Sequence, residues 1–298
     1  MLVGKSAFHK NQSVGQFYEK GEIKGYYSDL RHKTIGEILI DDECQVPINL
    51  TSKGETIFFP ITIFQYGLGS YDMFLQTGED DYLKKFFNTV TWALVNQASD
   101  GSWDAFGWSH TDARYSSMAQ AEGVSLLSRA YRERCDENYI NAAKMAIDFM
   151  LTSVDKGGTA YYYSNCITFE ESLNYRTVLN GMIFSIWGLY DLTLVLNDNT
   201  YQEKLVEAVE TLCRILPDYD RKYWSNYDLD GHIASGFYHT LHIEQLKVMY
   251  QIFENEIFHD YIEIWSKYER SFINTKRALA VKILQKLRSM SREVTLIK

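Results

Sequence analysis

Four long apolar segments recur along the chain at a period of about 60 residues, and this repeat limits the fold more tightly than anything else in the sequence. They open at Pro60 with ITIFQYGLGSYDMFL, at Tyr115 with SSMAQAEGVSLLSRAY, at Val178 with LNGMIFSIWGLYDLTLVL and at Tyr238 with HTLHIEQLKVMYQIF. A short polar turn and a second helical pattern follow each one. These second helices open near Asp81-Tyr82, Asn138-Tyr139, Thr200-Tyr201 and Asp260-Tyr261, so an independent landmark repeats with the same period. Asp, Asn and Thr at those points are expected N-caps, because their side-chain oxygens accept from the first free N–H groups. The first helix of each pair is apolar almost all round, as in Met182, Ile183, Phe184, Ile186, Trp187 and Leu189, and must be buried on most sides. The second is amphipathic: Leu205, Val209, Leu212 and Leu216 share one face, with Glu203, Lys204, Glu207 and Glu210 elsewhere. Alternating buried and amphipathic helices predict an all-α fold, an α/α toroid of about four inner/outer helix pairs. A plain helical bundle or solenoid is the alternative.

Only 3 of 298 residues are proline, which suits long helices, since an interior proline loses a backbone hydrogen bond. Residues 1–57 read as an N-terminal arm with short strands, 58–273 as the toroid, and 274–298 as a basic C-terminal helix. That last helix carries Lys276, Arg277, Lys282, Lys286 and Arg288 and reads first as solvated, with contact to an acidic glycan or a partner as the alternative. A net charge of −9 argues against a nucleic-acid partner, which needs clustered positive charge. No apolar run reaches about 18 residues, so no membrane span is expected. The N-terminus lacks the apolar core of a signal peptide, which places the protein in the cytoplasm. Cys44, Cys135, Cys166 and Cys213 form no CxxC pair and read as buried or incidental thiols, so no metal centre is expected from them.

In a toroid the loops leading into the inner helices converge on one mouth, so function is expected just before each of them. Those loops are aromatic: Trp103, Phe106, Trp108, Tyr161, Tyr162, Tyr163, Tyr223, Trp224 and Tyr227. Aromatic planes suit stacking on sugar faces, and packing in the core or rim is the competing use. No GxGxxG, P-loop, HExxH or GxSxG string is present, which takes support from nucleotide, zinc-protease and serine-hydrolase readings.

Five strings remain, in one order: Phe59-Pro-Ile-Thr-Ile-Phe-Gln-Tyr-Gly-Leu68; Tyr115-Ser-Ser-Met-Ala-Gln120; Val178-Leu-Asn-Gly181 with Gly188-Leu-Tyr-Asp191; Tyr227-Asp-Leu229; and Tyr238-His-Thr-Leu-His-Ile243. From about Phe58 to about Lys267 the chain resembles the C-terminal catalytic domain of the D-glucuronyl C5-epimerase family. The resemblance implies an α/α toroid, an isomerase acting on a uronic-acid-containing glycan, no cofactor, and a possible homodimer in which the N-terminal arm pairs. Epimerisation at C5 removes a proton α to a carboxylate and returns one to the opposite face, so it needs two proton carriers, or one that swings, and donors for the developing enediolate. The catalytic tyrosines implied are Tyr227 and Tyr238, and the acidic pair before VLNG is Glu170 and Glu171. A third family tyrosine directly after that pair is Ser172 here, with Tyr175 the nearest replacement. A family arginine three residues after the YDL tyrosine is Asp230 here. Arg114, Arg176, His239 and His242 are the candidates for substrate-binding donors, with Asn180, Trp103 and Tyr163. His242 also fits a hydrogen-bonded histidine of an inner helix. A hydrolase or lyase on the same scaffold, drawing on Glu170, Glu171, Asp104, Asp112 and Asp230, stays open, as does a glycan-binding homologue without activity.

Overall fold

A computed structural model describes residues 12–109, 113–164, 166–172 and 174–288; the predicted candidate Asp112 and the ends of the predicted arm and terminal helix lie outside them. Four helix pairs follow one another: α1 (Pro60–Thr77) with α2 (Asp80–Asn96), α3 (Ser117–Arg134) with α4 (Glu137–Leu151), α5 (Leu179–Val195) with α6 (Asn199–Ile215), and α7 (Gly236–Phe253) with α8 (Glu256–Arg270). α1 packs on α3, α3 on α5 and α5 on α7, while each even-numbered helix backs its own partner. This is the inner and outer layering of an α/α toroid. The inner helices are buried on nearly every side, as their apolar circumference requires: α5 buries every residue from Leu179 to Leu192. α3 and α5 approach closely. A Cβ on Gly188 would stand 2.5 Å from the Ala121 carbonyl oxygen, so only glycine lets the two backbones meet there.

The helix starts differ from the sequence reading. Asp136, Asp198 and Asn255 cap α4, α6 and α8 by accepting from Asn138, Thr200 and Ile257 amides, and Glu79 precedes α2 without a side-chain cap bond. The residues expected to cap, Asp81, Asn138, Thr200 and Asp260, all lie inside their helices. Tyr82, Tyr139 and Tyr201 sit at the third helical position, where they pack rather than begin the helix.

The arm is not a free extension. Its described part, from Gln12 onward, crosses the C-terminal ends of the inner helices and closes the floor of the toroid. The Tyr26 amide donates to Asp72 of α1 (3.0 Å), Arg129 of α3 donates to the Gly25 carbonyl (2.9 Å), the Tyr27 hydroxyl donates to Asp191 of α5 (2.6 Å), and the Val14 amide donates to Glu244 of α7 (3.2 Å). Arg129 and Asp191 form an ion pair of 2.7 Å with no solvent exposure. The described part of the arm is thus anchored to its own chain. Two short hairpins complete the described structure: β1 (Asn49–Leu50) with β2 (Thr56–Ile57), and β3 (Ala160–Tyr163) with β4 (Cys166–Phe169), both antiparallel.

A ninth helix, α9 (Phe272–Arg288), is not simply solvated. Its Ala278 and Val281 join Tyr223, Trp224, Ile233 and Ala234 in a small apolar cluster separate from the main core. None of the four cysteines is disulfide-bonded, and Cys44 and Cys135 are exposed rather than buried.

Candidate active site

Tyr227 and Tyr238 come from different elements and meet at the mouth. Tyr227 lies in the turn between α6 and α7. Its amide donates to the His232 carbonyl (2.6 Å) and its carbonyl accepts from the Leu179 amide (3.0 Å), which ties the turn to the start of α5. Tyr238 lies in the first turn of α7, where Ser235 caps the helix by accepting from the Tyr238 amide. The two rings stand edge to face, 4.7 Å between centroids, and their hydroxyls share a hydrogen bond. Glu171 completes the set: its carboxylate hydrogen-bonds Tyr227 and accepts from Asn180 Nδ2 at 3.0 Å.

The electrostatics follow from that packing. Burial pushes the Glu171 carboxyl up to about 7, against the opposing hydrogen bonds of Asn180 and Tyr227. Burial, reinforced by the Glu171 charge, drives both phenols well above their ordinary value, so they rest protonated. Gly181 makes room for the carboxylate: a Cβ there would stand 2.5 Å from Glu171 Cβ and 2.7 Å from its Oε2. Beneath this set the inner helices carry a buried polar column. Gln65 Nε2 donates to Glu122 (2.9 Å), and Gln245 Nε2 donates to the Asn180 carbonyl (3.2 Å). Burial pushes Glu122 up to about 8.

Glu170 is held by a different set of partners and lines a neighbouring cavity. It is buried, and its carboxylate accepts from the Thr177 amide (2.7 Å), the Thr177 hydroxyl (2.8 Å) and the Thr168 hydroxyl (3.0 Å), pinning the loop that leads into α5. With Tyr161, Tyr163, Tyr175, Arg176 and Asp230 it lines a cavity of about 490 Å³. Tyr175 and Arg176 are therefore neighbours in this cavity rather than members of the phenol set. Tyr175 is exposed and packs its edge on His232. Asp230, at the position of the family arginine, accepts from the Arg176 amide at 3.0 Å.

Other sequence candidates lie elsewhere. Trp103 is not a sugar platform: it is 1% exposed, donates from Nε1 to the Ala93 carbonyl (2.9 Å) and packs on Phe64 inside the core. Arg114 is exposed and pairs with Asp104. His239 is fully buried and stacked on Trp224. Its Nδ1 accepts from the Ser225 amide and its Nε2 donates to the Trp265 carbonyl, so both nitrogens are occupied within the protein. His242 is equally buried, with Nδ1 3.0 Å from Ser225 Oγ. Burial holds both imidazoles neutral, His239 down to about 4. Neither is a free surface donor for a carboxylate.

Lys282 of α9, named in the sequence only as one of a basic run, comes close to the phenol ring of Tyr227. Its ammonium donates to the Ile233 carbonyl (2.8 Å) and lies 5.8 Å from the centroid of the Tyr227 ring. A charge this near an apolar cluster was hidden in what read as a solvated basic run. Among the described residues, Asp228, Asp230 and His232 bring potential metal-ligand atoms within 4.8 Å of one another. Asp228 accepts from both the amide and Nδ1 of His232, so this arrangement is already satisfied as a hydrogen-bonded turn.

The family described as D-glucuronyl C5-epimerase C-terminus matches residues 74–267. The chain belongs to this family. It is 31% identical over 223 residues to a D-glucuronyl C5-epimerase of Caenorhabditis elegans, covering 61% of this chain and 34% of that protein. It is 30% identical over 154 residues to an uncharacterised protein of Methanocaldococcus jannaschii, covering 50% of each. The chain thus spans a third to a half of the curated relatives it matches. Among solved structures, cellobiose 2-epimerase from Spirochaeta thermophila superposes with a TM-score of 0.55 at 12% identity, over 79% of this chain and 65% of that one. The Lin0763 protein of Listeria innocua gives 0.52 at 10% identity, over 77% and 72%. These likenesses carry the fold, and the family match carries the strings that hold Tyr227 and Tyr238. Among the described residues no helix is long and apolar enough to cross a membrane.

Proposed function

We propose that this member of the C5-epimerase family inverts C5 of a uronic-acid residue in a glycan, glucuronate to iduronate in type, by removing and returning the C5 proton. The observation that carries the proposal is the hydrogen-bonded set of Glu171, Tyr227 and Tyr238, gathered from three stretches of sequence and largely buried at the toroid mouth. A base working near neutral pH is most effective when its own pKa lies there, and Glu171 at about 7 meets that condition. The phenols, held protonated, are donors for the return of a proton and for the oxygens of the enediolate. In the reverse direction the same groups exchange roles. The aromatic cavity with Tyr163, Tyr175 and Arg176 is the place for neighbouring sugars, with Arg176 facing a carboxylate. The family name and the glycan setting agree with this reading, whereas a hydrolase would need two free opposed carboxylates. Of the eligible described ones besides Glu171, Glu170 accepts from Thr168 and Thr177 at the cavity, Asp104 pairs with Arg114 and Asp230 accepts from the Arg176 amide.

A second reading, glycan binding without turnover, draws on Ser172 and Asp230, where the family tyrosine and arginine are replaced. Incubation with polymeric uronates in deuterated water separates the two. The epimerase is expected to place deuterium at C5, and Tyr238→Phe is expected to cut the exchange by about 100-fold or more while glycan binding persists. Binding with no exchange in the wild type would leave only the second reading.

A further inference from the structure

α9 is amphipathic in an unusual sense, because its apolar side faces outward. The side turned to the protein carries Ala278, Val281, Lys282 and Gln285. Ala278 and Val281 pack in the small cluster, Lys282 donates to the Ile233 carbonyl, and Gln285 both accepts from the Ile233 amide (2.9 Å) and donates to the Gly231 carbonyl (3.0 Å). The opposite side presents Phe272, 73% exposed, Ile273, 77%, and Leu284, 54%, with Leu279 and Leu287 also exposed. At helical spacing these five fall within an arc of about 140°. Scattered apolar residues on a surface are ordinary, but a continuous stripe on one helix marks a contact.

The charge of the helix says what kind. Phe272–Arg288 contains Lys276, Arg277, Lys282, Lys286 and Arg288 and no acidic residue, on a chain whose net charge is −9. Lys282 and Arg277 are engaged by the body of the protein, at the Ile233 carbonyl and the Tyr223 ring. We propose that α9 is a membrane-surface helix, laying its outer stripe into the headgroup boundary of an anionic bilayer with Lys276, Lys286 and Arg288 against the lipid phosphates. A symmetric pairing of two copies through this face is disfavoured by the same charge, since it brings Lys276, Lys286 and Arg288 against their copies with no acid on the helix to answer them. The contact is peripheral and lies within one helix diameter of the turn that carries Tyr227, so docking holds the mouth-side turn about 10–12 Å from the lipid surface.

Vesicle flotation with the full chain tests this. The protein is expected to float with phosphatidylcholine vesicles containing phosphatidylglycerol, not with phosphatidylcholine alone, and to be released by high salt. Leu284→Asp is expected to lower the bound fraction about tenfold or more, because a charge replaces an inserted side chain. Lys276→Glu is expected to lower it about fivefold or more through charge alone, which serves where the first variant fails to keep the wild-type unfolding midpoint. No flotation on anionic vesicles, equal flotation on neutral ones, or binding that neither variant weakens would overturn the proposal. So would a stable dimer in sedimentation that Leu284→Asp separates, which would assign the stripe to a second copy.

Discussion

Glu122 stands in the middle of an inner helix with no solvent exposure, holding one hydrogen bond from Gln65 and leaving Oε2 without a partner among the described residues. Such a carboxyl favours its proton in the fold, and burial raises it from 4.5 to about 8. The sign of the consequence is fixed: the folded state binds more protons than the unfolded one between those values, so stability is fullest below about 4.5 and is lost as pH rises towards 8. Each unit of that window is worth at most about 1.4 kcal/mol. Glu122→Gln keeps the shape and the neutral state. Its unfolding free energy is expected to match the wild type near pH 5 and to exceed it by a few kcal/mol, about 2–4, at pH 8.5. Asp72 titrates in both proteins and cancels in the difference, while the Glu171 charge acts on Glu122 and is part of the effect read. Denaturant unfolding across pH 5–9 reads this, and a difference that stays constant with pH would refute the account. The same residue shows why the polar column escaped the sequence: one Glu in an apolar helix is uninformative until Gln65 from another helix stands beside it.

The helix pairs were legible because burial is written around the whole circumference of each inner helix. Their first residues were not, because Asp and Asn occur both as caps and inside first turns. Asp198, not Thr200, ends the loop before α6, and its side chain accepts from the Thr200 amide at 2.8 Å. Asp198→Ala is therefore expected to cost about 1 kcal/mol, while Thr200→Ala costs a few tenths, as thermal unfolding would show. Equal losses would return the cap to Thr200. The β3–β4 hairpin was hidden for another reason: Tyr161, Tyr162 and Tyr163 are all exposed, so the strand shows no inside-outside alternation. Trp103 misled in the opposite direction. Its place in a loop suggested a sugar platform, yet the loop folds inward and Gly123 leaves room for the indole. Tyr227 and Tyr238 could be named from their strings, but Glu171 could be told from Glu170 only when Thr168 and Thr177 were seen to hold one of them.

At the scale of the molecule, the two ends of the toroid do different work. The mouth gathers Glu171 and the two phenols, and the floor is closed by the arm over the buried ion pair of α3 and α5. Arg129 links three parts at once: it pairs with Asp191 of α5, donates to the Ser125 carbonyl of its own helix, and holds the arm by donating to the Gly25 carbonyl and lying under the Tyr26 and Tyr27 rings. Removing only the cation leaves Asp191 charged in a dry interior with the Tyr27 hydroxyl as its remaining donor. Arg129→Met is expected to cost about 3–5 kcal/mol, whereas Arg129→Met with Asp191→Leu recovers most of that, because the penalty comes from the stranded charge. The arm distinguishes this from a general loss of packing. With its Gly25 anchor gone, amides near Gly15, Gly25 and Tyr26 are expected to exchange faster with solvent in the single variant, while those of α5 stay protected. Uniform loss of protection across α5 would mean that the pair supports the inner ring itself, and that the arm follows it rather than closing the floor independently.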